Sequence, residues 1–152
     1  MKDVCVSIVR ADEYNVDEAA GVFDLFRQFF GEQTDIKACE EFLVARQKAE
    51  ESIVFFARDD VGNVLGFTQL YPIFSSVPFR RDLLLGDLFV SEISRGKGVG
   101  RKLLEAAKSY GAEVESKGML LVTDIANTKA QALYESFGFE RDNERYYYYL
   151  TL

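Results

Sequence analysis

Leu83 to Glu105 reads LLLGDLFVSEISRGKGVGRKLLE, an apolar run that passes through a basic, glycine-rich turn directly into a helical pattern. Gly96, Gly98 and Gly100 alternate in it, so the backbone there can take conformations closed to residues with a Cβ and can come close to a ligand. The spacing predicts a helix from Val99 onward, whose unpaired N–H groups and positive dipole end face back at the turn. Arg95, Lys97, Arg101 and Lys102 surround it with positive charge. An anion such as a pyrophosphate would be held there. Glycine spacing alone is equally compatible with an ordinary surface turn carrying solvated cations.

Two familiar phosphate motifs are excluded. A P-loop needs G-x-x-x-x-G-K followed by Ser or Thr, and no such lysine closes this turn. A dinucleotide fingerprint needs G-x-G-x-x-G with an acid about twenty residues further on to hold a ribose. Here the third glycine comes one position early, and the corresponding later position is Gly118.

The stretch resembles instead the acetyl-CoA signature of the GNAT superfamily of N-acetyltransferases, in which Gln or Arg is followed after two residues by Gly-x-Gly or Gly-x-Ala. Arg95, Gly98 and Gly100 match it. Asn127 to Phe139, NTKAQALYESFGF, resembles the second signature of the same superfamily, an Asn that opens a helix ending in a Tyr and a Gly-Phe or Gly-Trp. The two signatures occur in the family's order.

The rest of the chain is compatible with such an enzyme. Its 152 residues, 48% hydrophobic and 14% aromatic, suit one domain over residues 1–152 with a sizeable core. The apolar start, Met1 to Val9, is short and broken by Lys2, Asp3 and Ser7, and no long apolar run follows. A soluble chain with no membrane association is expected. Cys5 and Cys39 lack metal-type spacing and read as reduced thiols, which points to a cytoplasmic location. Histidine is absent, which removes Ser-His and Cys-His nucleophile systems and the usual zinc sites, so no metal is expected. The net charge of −7 disfavours nucleic acid as a partner and mildly favours a cationic one.

Periodicity predicts a strand at Val4 to Val9 and an amphipathic helix through Val16, Ala20, Phe23, Phe26 and Phe30. A mobile loop then leads to a second helix from Ile36, capped by Thr34 or Asp35. Ile53 to Ala57 and Val64 to Tyr71 read as a hairpin, followed by an irregular crossing from Pro72 to Pro78. Helices on Leu103 to Val114 and Ala130 to Phe137 flank a strand at Met119 to Ile125, and a terminal hairpin ends in Tyr146 to Leu150. This element order resembles the GNAT fold over essentially the whole chain, most weakly in the two N-terminal helices. The resemblance implies an α/β (α+β) mixed sheet of about seven strands, helices on both faces, and splayed fourth and fifth strands.

By resemblance, acetyl-CoA is the co-substrate. Its pantetheine arm would pair with the backbone of Leu88, Phe89 and Val90, its pyrophosphate would lie on Arg95, Gly96, Lys97, Gly98, Val99, Gly100 and Arg101, and Asn127 would bond the arm. Asn127 also reads as a plain helix cap. Tyr134, which spacing alone would assign to the apolar face of the last helix, is by resemblance the acid that protonates the departing thiolate. The thiol and phenol reference values, about 8.5 and about 10, make that exchange plausible.

The acceptor is expected to be a primary amine of a small cationic molecule or a protein, attacked directly. At pH 7 an alkylamine of pKa about 10.4 must first lose a proton, at a cost of roughly 4.6 kcal/mol. A carboxylate of raised pKa, for which Asp87 is the choice, or a water chain would take that proton. The nearest pattern is that of the diamine acetyltransferases, whose central strand carries an acidic pair. The second acid matches Asp87, but the first falls on Gly86. Phe30, Glu32, Tyr71 and Phe74 are the expected acceptor contacts, combining aromatic faces with carboxylate charge. A non-catalytic acyl-CoA-binding module is the alternative. The consecutive tyrosines 146–149 would leave aromatic surface on both faces of a strand, and a homodimer is expected to cover one of them.

Overall fold

Adjacent side chains of a strand point to opposite faces of a sheet, and Phe55 and Phe56 show the consequence. Phe56 is fully buried in a cluster with Val16, Phe23, Leu43 and Phe67. Phe55 packs against the Tyr110 ring, with centroids 6.2 Å apart. The computed structural model, which describes Cys5–Leu152, has helices on both faces of one sheet. Val4, at the expected start of the first strand, lies outside the described residues.

The strands are β1 (Ser7–Arg10), β2 (Ile53–Arg58), β3 (Val64–Ser75), β4 (Arg80–Val90) and β5 (Met119–Leu120), neighbours in that order. All pairs are antiparallel except β4 with β5, which run parallel. A 3-10 turn, Val16–Ala19, leads into α1 (Ala20–Phe29), and α2 (Ile36–Lys48) follows. These cover the Phe56 face, and α3 (Val99–Glu113) covers the Phe55 face. One compact unit runs to Val122, and a second, Thr123–Leu152, contains α4 (Thr128–Phe137).

Local chemistry explains where α2 begins. Asp35 caps α2 by accepting from the Ala38 amide at 3.0 Å. The loop before it, expected to be mobile, is tied down by buried Asp24. That carboxylate accepts from Thr34 Oγ1 at 2.6 Å, the Asp35 amide at 2.8 Å and Gln28 Nε2 at 2.8 Å. These bonds hold its pKa below the ordinary carboxylate value.

Three expectations are corrected. The crossing at Pro72 to Pro78 is instead regular strand as far as Ser75, followed by a turn into β4. Pro72 is tolerated because its partner Leu83 donates its amide to Gly118 O at 3.2 Å, away from β3. The pair is therefore of the non-hydrogen-bonded type, and the missing Pro72 donor faces an edge beyond the last β2 pair, Ile53 with Leu70. The fifth strand is confined to Met119–Leu120. The sheet has five strands among the described residues rather than about seven, and residues 140–152 contain none. Tyrosine favours strands for how it packs on a half-buried pleated surface, and all four consecutive tyrosines are exposed here.

The β3–β4 pairing tolerates little at Gly66. A Cβ there would lie 2.6 Å from the Phe89 carbonyl oxygen and 3.2 Å from Val90 Cα, both backbone atoms. Gly66→Ala is expected to destabilise the protein by about 1–3 kcal/mol, as urea denaturation would measure.

Candidate active site

On one side β4 pairs with β3 from end to end apart from Gly86, and on the other, among the described residues, its strand pairing is confined to Leu83 and Leu84. Its β3 register runs from Arg80 to Val90, but β5 pairs only with Leu83 and Leu84. Beyond the β5 pairing the strand edge is released, as the splayed-strand expectation requires. The Ser91 amide donates to Leu65 O at 2.8 Å, so alternation gives Phe89 the β3-facing backbone groups and turns those of Leu88 and Val90 to the released edge. Arg95 Nε already donates to Val90 O at 3.0 Å. The Val90 amide and both Leu88 groups turn to that edge, whereas the Phe89 backbone groups lie in the β3 ladder.

The turn that follows has its conformation set by glycine. Gly96 and Gly98 have φ of 74° and 76°, the left-handed region that a Cβ disfavours. No atom lies within 4 Å of where a Cβ would stand on either. Gly98 is the N-cap of α3 and has no side chain to offer the first-turn amides. That leaves open space in front of unpaired N–H groups. Val99 is buried and anchors the helix start, whereas Gly100 and Arg101 continue its first turn. Lys97 Nζ bonds Ile93 O at 2.9 Å, and the Arg95 guanidinium lies 5.5 Å from the Phe89 ring centroid. The turn, the helix start and these cations fit a pyrophosphate.

Asp87 sits just past an irregularity. The register shifts between Gln69 and Leu70, leaving Gly86 as the extra residue in β4. Bulges re-aim the side chains that follow them. Leu83 faces Gly111 of α3, and in an unbroken strand Asp87 would face the same way. It instead shares a face with Phe89, which packs on Phe26 of α1 at 6.0 Å. Gln69 Nε2 donates to Asp87 Oδ2 at 2.7 Å, and Thr68 Oγ1 to the Asp87 carbonyl at 2.8 Å. Burial raises the Asp87 pKa, and the Gln69 bond opposes part of that rise. The Tyr71 ring lies over Gly86, where a Cβ would stand 2.5 Å from Cε2. The position that carries an acid in the diamine pattern is thus filled by a ring. Burial first, and then the Asp87 charge, raise the Tyr71 pKa far above its ordinary value, and Arg46 of α2 opposes the rise.

The expected acceptor residues are only partly gathered. Phe30 packs on Phe26 and Phe29, and both of those contact Phe89, so Phe30 and the Asp87 strand border one aromatic cluster. Glu32 lies 3.8 Å from Arg27, which neutralises its charge locally. Phe74 stands apart. By alternation it faces away from Tyr71, and Arg81 lies 5.9 Å from its exposed ring. Gln69 was not anticipated, because its partner lies 18 residues away across the ladder and no local pattern marks it.

In the second unit, Asn127 caps α4 by accepting from the Ala130 amide at 3.3 Å. Gly138, at φ 115°, ends the helix. Its amide and that of Phe139 both donate to Tyr134 O, and the Tyr134 and Phe139 rings meet at 5.7 Å. Burial raises the Tyr134 pKa and keeps the phenol protonated. Among the described residues no group of His, Cys, Asp or Glu is placed to hold a metal ion, and no helix is long and apolar enough to cross a membrane.

A mixed sheet released at one edge beside a glycine turn and helix start has the architecture of an acyltransferase. The chain belongs to the GNAT acetyltransferase family, whose model, the Acetyltransferase (GNAT) family, matches residues 19–139. It is 39% identical over 147 residues to YhfO, an uncharacterised N-acetyltransferase of Bacillus subtilis (strain 168), covering 97% of this chain and 98% of that one. A crystal structure of a probable acetyltransferase superposes with a TM-score of 0.89 at 35% identity, covering 96% of this chain and 97% of the other. The aminoglycoside N-acetyltransferase AAC(6')-Iy in complex with CoA shares the fold, with a TM-score of 0.79 at 21% identity and coverage of 97% and 95%. The protein is an acetyl-transfer enzyme, and its family uses acetyl-CoA.

The raised Asp87 pKa has a thermodynamic consequence. The folded state binds this proton more tightly than the unfolded chain, whose value is about 3.9. Asp87 therefore lowers stability as pH rises from about 3.9 through the folded value. Relative to wild type, Asp87→Asn should gain stability across that window and keep the gain at neutral pH. Urea denaturation over a pH series would show it. A stability gap that does not change with pH would mean that Asp87 is not perturbed.

Proposed function

We propose that the enzyme transfers the acetyl group of acetyl-CoA to a primary amine by direct attack, with Asp87 as the proton acceptor and Tyr134 as the acid. The observation that carries this reading is the open glycine turn at the start of α3, next to a strand edge with unpaired backbone groups. Acetyl-CoA would supply the thioester whose acetyl carbon is attacked and whose thiolate leaves.

In this reading Gly96 to Arg101 bind the pyrophosphate through backbone N–H groups and flanking charge. Leu88 and Val90 bind the arm as a neighbouring strand would. The Val90 amide is the donor suited to polarising the thioester carbonyl. Asn127 uses its oxygen as a cap, and its Nδ2 is suited to the arm. Burial of Asp87 favours proton uptake, which suits a group that must accept a proton from an ammonium. Burial of Tyr134 keeps a proton available for the leaving thiolate. Phe30, Tyr71 and Glu32 are the acceptor contacts in this reading, and Phe74 lies on the other side of β3.

The enzyme works in the cytoplasm and as a homodimer in the same reading. Both cysteines are free, as a reducing compartment favours. Tyr146 and Tyr148, 87% and 85% exposed, offer the aromatic surface that a second copy would cover. A scattering mass of one chain at micromolar concentration would count against the dimer.

Two substitutions test the chemistry. Asp tolerates left-handed backbone and is a good N-cap, so Gly98→Asp should stay folded while its carboxylate repels phosphate. Calorimetry should then find acetyl-CoA binding abolished, and unchanged affinity would reject the cradle. Tyr134→Phe keeps the ring and should lower kcat by about 10²-fold or more at unchanged acetyl-CoA affinity. A screen of amines for CoA thiol release identifies the acceptor, and wild-type turnover of Tyr134→Phe would return that ring to packing alone.

A further inference from the structure

β3 places two consecutive polar side chains, Thr68 and Gln69, in fully buried positions. Polar groups in a strand core are retained where they bond to something that needs holding. Here both bond to a single residue. Thr68 Oγ1 holds the Asp87 carbonyl at 2.8 Å, and Gln69 Nε2 holds Asp87 Oδ2 at 2.7 Å. The backbone and the side chain of one carboxylate residue are thus clamped from opposite faces of the same strand, next to the bulge at Gly86.

Gln69 is satisfied at one end only. Its Oε1 is buried and has no hydrogen-bond partner. A side chain retained for packing alone would not carry that penalty, since Met fills similar volume with no polar atom to bury. Within the described part of the first unit, Gln69 is the side chain that bonds the carboxylate. Tyr71 faces it from β3 and interacts with its charge, and Arg46 of α2 reaches Tyr71 while paired with Glu51. On α1, Phe26 and Phe29 face the neighbouring Phe89, and the charged groups Asp24 and Arg27 are engaged with each other and with the loop that follows. Gln69 is the group that fixes the Asp87 side chain.

We propose that Gln69 is the positioning residue of Asp87, its buried amide holding the carboxylate in the orientation in which it meets the acceptor amine. The inference rests on the reading of Asp87 as the proton acceptor. It has a consequence that packing would not produce. Nε2 donates to the ionised carboxylate, and this bond favours the charged form. If the amide turned over, Oε1 would face the carboxylate, a pairing that only a protonated Asp87 could satisfy. Through this bond the Gln69 amide is expected to sense the proton on Asp87. It keeps the carboxylate ionised, and able to accept a proton, further down the pH scale than burial alone would.

The test is a titration by NMR of the full-length enzyme, following the Asp87 carboxyl carbon and the Gln69 side-chain amide, with no substrate needed. In wild type the Gln69 amide should shift with the same midpoint as the Asp87 carboxyl. In Gln69→Met the Asp87 midpoint should rise by about one pH unit. A Gln69 amide that stays flat through the Asp87 titration overturns the proposal even if Gln69→Met fails to fold. So does a folded Gln69→Met variant with an unchanged Asp87 midpoint. A double-mutant cycle on turnover separates the two readings. If Gln69 acts through Asp87, Gln69→Met with Asp87→Asn should lose no more turnover than Asp87→Asn alone. Coupled titration together with wild-type turnover in Asp87→Asn would refute Asp87 as proton acceptor and leave the hydrogen-bond assignment standing.

Discussion

The structure depends on β4 keeping one neighbour while losing the other. Its β3 ladder continues to Val90, but its pairing with β5 ends at Leu84. Three contacts in the first unit hold this edge. Gly66 lets β3 approach within contact of the Phe89 carbonyl, Arg95 folds back onto Val90 O, and Ser91 returns its amide to Leu65. The strand can give up one partner because the other grips it closely.

The bulge at Gly86 is the second determinant. Without the extra residue Asp87 would face α3 with Leu83 and Leu85, but with it Asp87 shares the α1 face with Phe89. The Tyr71 ring takes the space beside Gly86, which makes the glycine and the ring one feature: a side chain at 86 would displace Tyr71. Gly86 and Tyr71 thus fit together as one packed unit at the position where the diamine pattern has an acid. In the proposed mechanism the remaining acid works with a buried amide at its back and an aromatic cluster beside it.

Where the signal is local, the sequence was readable. Of the two expected caps, Thr34 and Asp35, it is Asp35 that caps α2, Gly138 ends the last helix, and the glycine turn adopts the left-handed conformations that its composition implies. The strands that periodicity predicts at Val4 to Val9 and Ile53 to Ala57 are observed as Ser7–Arg10 and Ile53–Arg58, and α3 carries the predicted buried stripe. What escaped was set by pairing across the sheet. Pro72 looked like a strand breaker because its tolerance depends on which edge its missing donor faces, a question of register with Leu83. The consecutive tyrosines looked like a strand because propensity says nothing about whether a partner is present. Gln69 reads as an ordinary strand residue until the ladder sets it against Asp87. Phe74 was grouped with Tyr71 by proximity in sequence, although alternation puts the two on opposite faces.

The central claim is that the released β4 edge and the glycine turn together form the cofactor cradle. It is tested most directly by titrating ¹⁵N-labelled enzyme with CoA and following backbone amides. The largest shifts are expected on Gly96 to Arg101 and on Leu88 and Val90, with Phe89 shifting less because its amide belongs to the β3 ladder. Saturable CoA binding that leaves the turn and the β4 edge unshifted would contradict it.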